Sequence, residues 1–362
     1  MTHLLLGKKT MKINVILPSI GTSGGIDVIN KYVELLAERG HDVKIYKSFY
    51  QPNLYRYKTQ LKNDIHRVYC TMKSLLSFKD DNNHFTSYVP RISDKYIRNA
   101  DVIIATAWYT AYWVDELSVE KGKKFYFIQD FEIWDNKELG IKSYSLQLNK
   151  IVISSWIEEQ IKGVINQSGF PKIINGVDGD FFVEKKDFNE KVSIECLMLN
   201  HSLAKKGVDY GLKSFERAKK SCPNLELTMF GMNDSSNLPD YVKYYQNPSH
   251  DLLRSLYEKS DIFIFPSLEE GWGLTPIEAM ASKCAVVASN TGFVKDIGID
   301  ERNVLISDPK DYKKMSDNIV RLVNDRELFI KIAETGYKTV KEFSWNKCAD
   351  KLEDLLVNEV MK

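Results

Sequence analysis

Apolar residues along this chain fall into short runs that alternate with helical stripes. Lys12 to Pro18 (KINVILP) is short enough for a buried strand; it ends in SIGTSGG, and IDVINKYVELLAERG then carries apolar residues at helical spacing until Gly40. HDVKIYKS follows as a second strand. Strand, glycine loop, helix and strand in that order predict parallel pairing through a right-handed crossover. Further apolar runs at 101–106 (DVIIAT), 124–129 (KFYFIQ) and 150–154 (KIVIS) alternate with helical stretches such as SSWIEEQIKGVIN. The first half is therefore expected to be a doubly wound α/β domain.

The same alternation restarts after NGVDGDFF at 175–182, where turn residues and the charged stretch EKKDFNEK mark a linker. Strands are expected at 194–199 (IECLML), 225–230 (LELTMF), 261–266 (DIFIFP), 285–289 (AVVAS) and 303–307 (NVLIS), with helices KGVDYGLKSFERAKKS, HDLLRSLYEKS and one beginning near Pro276 between them. The expected division is 11–175, 176–343 and a last amphipathic helix within 344–362 that crosses back to the first domain. Two Rossmann-like halves lead us to expect a ligand cleft between the carboxyl ends of their sheets.

Composition agrees with this picture and narrows it. A chain of 362 residues exceeds one ordinary core, and its 43% apolar and 27% charged residues are globular values. Fifty Lys plus Arg balance 49 Asp plus Glu, which argues against a general nucleic-acid binder. The five cysteines are scattered, with no CxxC or Cys/His cluster, and read as reduced thiols of a cytoplasmic protein without a zinc site. The opening MTHLLLGKKT has too short an apolar run for a signal segment or membrane span, and is set apart as an extension ahead of the fold.

The candidate chemistry lies in EEGWGLTPIEAMAS, 269–282, where Glu270 and Glu278 flank a glycine-rich turn. Thr275 before Pro276 reads as an N-cap, and Glu278 would complete a T-x-x-E capping box. That gives Glu278 a structural role. A functional one stands beside it: the amides of Gly271, Trp272, Gly273 and Leu274 precede a helix N-terminus and suit a phosphate. Carboxylates at both ends of such a loop oppose an anion unless they meet hydroxyls. A nucleotide sugar supplies these, with Glu278 on the ribose and Glu270 on the transferred sugar.

With these residues the chain resembles the GT-B glycosyltransferases of family 4 over nearly its whole length from Met11. The resemblance rests on PSLEEGWGLTPIEAMASKCAVVASNTG, on NGVD at 175–178 and on SW at 344–345; YFIQDFE (126–132) and LMLNHSLAKKG look most similar to WsaF-type rhamnosyltransferases. It implies an α/β GT-B fold and retaining transfer of a sugar from a nucleoside diphosphate donor, without a metal or other cofactor. It also implies that Lys206 contacts the donor diphosphate, with His201 where the family usually has arginine. Gly24 and Gly25 would allow close approach of the backbone to donor or acceptor, and Gln129-Asp130 stands where many members have His-Asp. Asp130 is the first-domain catalytic candidate beside Glu270 and Lys206, with Glu132 secondary; spacing alone serves equally a turn cap at Asp130 and a structural role for His201. The base is expected near Gly231 and Asn247.

Recognition of a glycan or lipid-linked acceptor is written less clearly. The stretch 51–76 interleaves Tyr55, Tyr57 and Tyr69 with Arg56, Lys58, Lys62, Arg67 and Lys73. This reads as a solvated helix face or as a peripheral contact with anionic headgroups at the inner membrane surface. Trp108, Tyr109, Tyr112 and Trp113 pack a core or stack on sugars. The sequence thus favours a transferase of surface polysaccharide synthesis. A GT-B epimerase or phosphorylase and a non-catalytic partner of an active transferase are the alternatives.

Overall fold

The computed structural model describes residues 10–18, 24–50, 59–76, 83–188 and 192–362. Tyr55, Arg56, Tyr57 and Lys58 lie outside the described residues.

Among the described residues, twelve strands form two six-stranded sheets. The first contains β1 (Lys12–Ile16), β2 (Asp42–Ser48), β3 (Thr86–Val89), β4 (Val102–Ala105), β5 (Lys123–Ile128) and β6 (Asn149–Val152). The second contains β7 (Ile194–Leu199), β8 (Leu225–Gly231), β9 (Val242–Gln246), β10 (Ile262–Phe265), β11 (Ala285–Ser289) and β12 (Leu305–Ser307). Every pairing is parallel. The orders are β3-β2-β1-β4-β5-β6 and β9-β8-β7-β10-β11-β12, so the two sheets repeat one topology. In each, the strand order reverses between the first and fourth strands, the place where doubly wound sheets open for ligands.

Burial follows from the helices on both faces. Central strands VIIA, IFIF and AVVAS are buried at every position, the continuous apolar run that a parallel sheet requires. The expected strands all form. Two were not read from the sequence, β3 and β9; both are edge strands whose residues are mostly half-buried or exposed. Several helices start as their sequences dictate: Ser249, Asp311 and Asp325 each accept from the backbone N–H three residues on.

Contacts divide the chain into two units. Unit 1 holds 1–153, 157–173 and 348–362; unit 2 holds 154–156 and 174–347. The final helix, Trp345–Met361, thus begins in unit 2 and continues in unit 1. There Arg39 pairs with Asp350 at 2.9 Å and with Glu353 at 3.4 Å, and the His41 ring lies 3.2 Å from Glu353 with both side chains buried. Lys123 meets Glu359 at 3.1 Å. The core cluster of unit 2 joins Cys196, Met198, Leu227, Ile264 and Val287 from one face of its sheet with Phe215 of the helix Val208–Ser221.

Candidate functional site

In unit 2, the sequence candidates converge where β7 and β10 adjoin. Lys206 closes a single 3-10 turn, Ala204–Lys206, after β7, and Glu270 lies in the loop after β10. Their side chains meet, Nζ to Oε2 at 2.6 Å, with 20% and 14% of their surfaces exposed. The Ser267 hydroxyl donates to the same Glu270 oxygen at 3.3 Å. The two segments are also tied by backbone, since Leu268 N–H donates to the Lys205 carbonyl at 2.7 Å. Gly207 makes this possible: its φ is +65°, and a Cβ there would lie 2.0 Å from the Pro266 carbonyl oxygen.

His201 sits beside this pair. Its Nδ1 accepts from the Leu203 N–H at 3.0 Å, which leaves the proton of a neutral ring on Nε2. Burial, and then the Lys206 ammonium, hold its pKa below the usual 6.5. At neutral pH the ring is therefore a hydrogen-bond donor without charge, and the arginine expected in its place is not replaced by a second cation.

The glycine turn corrects one expectation. The helix runs Leu274–Ala281 with Gly273 as N-cap, so Thr275 is not the cap and the capping box does not form. Gly273 has φ +91°, and a Cβ would stand 2.9 Å from the Phe265 ring, so this residue alone can turn the chain there. Pro276 falls inside the first turn, where its missing N–H costs nothing. Glu278 faces elsewhere: its carboxylate accepts from the Tyr257 hydroxyl at 2.8 Å. Burial pushes its pKa up to about 7, with a smaller push from Asp178 of the NGVD turn.

Trp272 is a packing residue, 2% exposed, with its Nε1 lacking a partner. Its carbonyl accepts from Phe293 N–H at 2.7 Å, which fastens the turn to the segment after β11. Gly271 and Gly273 are buried with it. Gly231 and Asn247 come together, Asn247 N–H donating to the Gly231 carbonyl at 2.7 Å, at the ends of β8 and β9. Tyr257 and Ser267 were not singled out from the sequence. Their roles depend on partners distant in the chain or on loop geometry, neither of which leaves a local signal.

Unit 1 places its candidates at the ends of β1 and β5. A Cβ on Gly25 would lie 3.4 Å from the Gln129 side chain, whose Oε1 is buried without a partner; a Cβ on Gly24 meets nothing. The Asp130 carboxylate accepts from the N–H of its neighbour Phe131 at 2.9 Å. Glu132 is buried, its Oε2 accepting from the Tyr126 hydroxyl at 2.6 Å and its N–H donating to the Tyr144 hydroxyl at 2.6 Å. Burial raises its pKa to about 8. Trp108 and Tyr109 are buried, with Tyr112 and Trp113 against them, and the exposed Trp134 packs edge-on to both buried rings. Among the described residues, no three His, Cys, Asp or Glu side chains gather as a metal site.

Residues 180–339, within unit 2, match the family model of the glycosyl transferases group 1. An uncharacterized glycosyltransferase of Methanocaldococcus jannaschii is 25% identical over 205 residues, 55% of this chain and 56% of its own length. The capsular polysaccharide biosynthesis glycosyltransferase CapM of Staphylococcus aureus is 28% identical over 160 residues, 41% of this chain and 42% of its own. The chain thus spans about half the length of these relatives. In structure, it is similar to the sucrose-phosphate synthase of Thermosynechococcus elongatus, with TM-score 0.70 and 18% identity over 95% of this chain and 98% of the other. The two parallel sheets are those of the GT-B fold.

Proposed function

We propose that this protein is a retaining glycosyltransferase that moves a sugar from a nucleoside diphosphate donor to a glycan or lipid-linked acceptor in surface polysaccharide synthesis. The observation that carries this reading is the Lys206–Glu270 pair, standing at the strand-order reversal of unit 2 inside the stretch that matches the family model. One cation held by one carboxylate, with an uncharged donor in His201 beside it, is a setting for a group that carries both phosphate and hydroxyls.

In this reading Lys206 and the His201 Nε2–H stabilise the departing diphosphate, the main source of rate when charge develops on a leaving group. Glu270 orients Lys206 and accepts from hydroxyls of the transferred sugar. Glu278, fixed by Tyr257, accepts from the ribose. Gly231 and Asn247 offer backbone groups to the base. Asp130, with Gly24 and Gly25, serves the acceptor from unit 1. The capsular relative supports the polysaccharide assignment. Rhamnose is the first sugar to test, on the resemblance of YFIQDFE and LMLNHSLAKKG to rhamnosyltransferases.

A thermal-shift panel of UDP, dTDP, GDP and their sugars tests donor binding. A ligand at 100 times its dissociation constant stabilises by roughly 2.7 kcal/mol, and a folded protein that none of them shifts would end the proposal. With the donor identified, Lys206→Ala and Glu270→Ala should each lower transfer by about 100-fold to 1000-fold without unfolding the protein. Normal turnover in either variant removes that residue from the site.

A further inference from the structure

The helix Gln60–Leu76 is turned inside out. At 100° per residue, Leu61, Ile65, Val68, Tyr69, Met72, Leu75 and Leu76 fall in one arc of about 120°. An amphipathic helix ordinarily buries such an arc. Here all seven are between 51% and 86% exposed, while Asn63, on the opposite side of the helix, is 5% exposed. The polar side is the one held by the protein. The Arg67 guanidinium pairs with Asp64 at 2.8 Å and lies over the Tyr50 ring, 5.1 Å from its centroid.

Charge decides what the stripe fits. Lys62 and Lys73 are exposed and fall on the same border of the apolar arc, about 16 Å apart along the axis. His66 lies on that border too. Asp64, the helix's one carboxylate, falls on the other border and is engaged by Arg67. An apolar stripe edged by lysines, with an aromatic hydroxyl in Tyr69, matches a surface that is apolar within and anionic at its rim. Among the described residues, no helix is long and apolar enough to cross a membrane, so the contact that this stripe offers is a lying one.

We propose that the helix Gln60–Leu76 docks the protein on an anionic phospholipid surface, its apolar stripe entering the headgroup boundary and Lys62 and Lys73 meeting lipid phosphates. This stands on the helix alone and does not depend on the transfer reading. It places the protein where an acceptor anchored in lipid is presented.

Sedimentation of the full chain with vesicles is the test. The protein should co-sediment with vesicles of phosphatidylcholine mixed with phosphatidylglycerol, less so as salt rises, and weakly with phosphatidylcholine alone. Lys62→Glu with Lys73→Glu should weaken binding to the anionic vesicles by about tenfold or more. Ile65→Ser with Met72→Ser should weaken it on both vesicle types, since less apolar area enters the boundary. Both double variants should keep the wild-type melting temperature and the wild-type thermal shift with nucleotide, which separates loss of docking from loss of fold or of donor binding. Two results overturn the proposal. One is absence of sedimentation with either vesicle; the other is a lipid-free dimer in light scattering that Ile65→Ser with Met72→Ser dissociates, which assigns the stripe to a second copy of the chain.

Discussion

The two units share one strand order but finish the same crossing differently. In unit 2 the first and fourth strands are followed by an ion pair, Lys206 with Glu270. In unit 1 the corresponding strands, β1 and β4, are closed by the Thr106 hydroxyl, which donates to the Ile16 carbonyl at 2.8 Å. Their carboxyls differ as well. Glu132 in unit 1 is buried among tyrosine hydroxyls, its pKa raised to about 8, whereas Glu270 in unit 2 is held against an ammonium. Identical topology thus carries a paired cation in one unit and, in the other, a carboxyl that burial favours in its protonated form. The fold supplies the position; the few residues after each strand decide which ligand chemistry is possible.

The largest effects should come from the residues the units have in common. Trp108 follows β4 and Trp272 follows β10, each 2% exposed and each without a partner for Nε1. Replacement by alanine should cost about 3–5 kcal/mol in either unit, read as a shift of the urea unfolding midpoint. A far smaller loss at one of them would show that the two crossings are not packed alike.

Next comes Glu132. A carboxyl whose pKa rises from 4.5 to about 8 on folding holds a proton that the unfolded chain releases in that window. Stability should therefore be greatest below pH 4.5, as far as this group decides it, and fall as pH rises through about 8. Glu278, raised to about 7, adds the same sign in unit 2. Glu132→Gln should flatten the slope by an amount on the order of a few kcal/mol across the window. Urea melts at several pH values measure it, and an unchanged slope would place the proton elsewhere.

Smaller again is Glu278→Gln, expected to weaken nucleotide binding by about tenfold in calorimetry while the Tyr257 contact persists in neutral form. Thr106→Val should cost only about 1 kcal/mol, the worth of one hydroxyl donation. A much larger loss would mean that closing the crossing in unit 1 matters more than one bond.

The central strands were legible because a run such as VIIA or IFIF has no comfortable place except a buried parallel sheet. TSYV and VKYYQ were not, since edge strands keep polar residues that look like loop. The helix start at Gly273 was misread for a different reason. Thr275, Pro276 and Glu278 make a sound local cap, but Tyr257 lies 21 positions earlier in the chain and takes the carboxylate. Lys206 and Glu270, 64 positions apart, could be paired in advance only through the resemblance, never by spacing. The stripe of the helix Gln60–Leu76 is plain from its periodicity; that it points outward is not, because periodicity fixes a face and not what lies against it.

The return of the last helix to unit 1 has a consequence for synthesis. Arg39 and His41 emerge early from the ribosome, yet Asp350 and Glu353 emerge only after the whole of unit 2. The first unit must therefore wait, incomplete, until residues 350–353 are made, with the His41 imidazole and part of its apolar surface still uncovered. A chain stalled or clipped ahead of Asp350 should be harmed in the half that was made first.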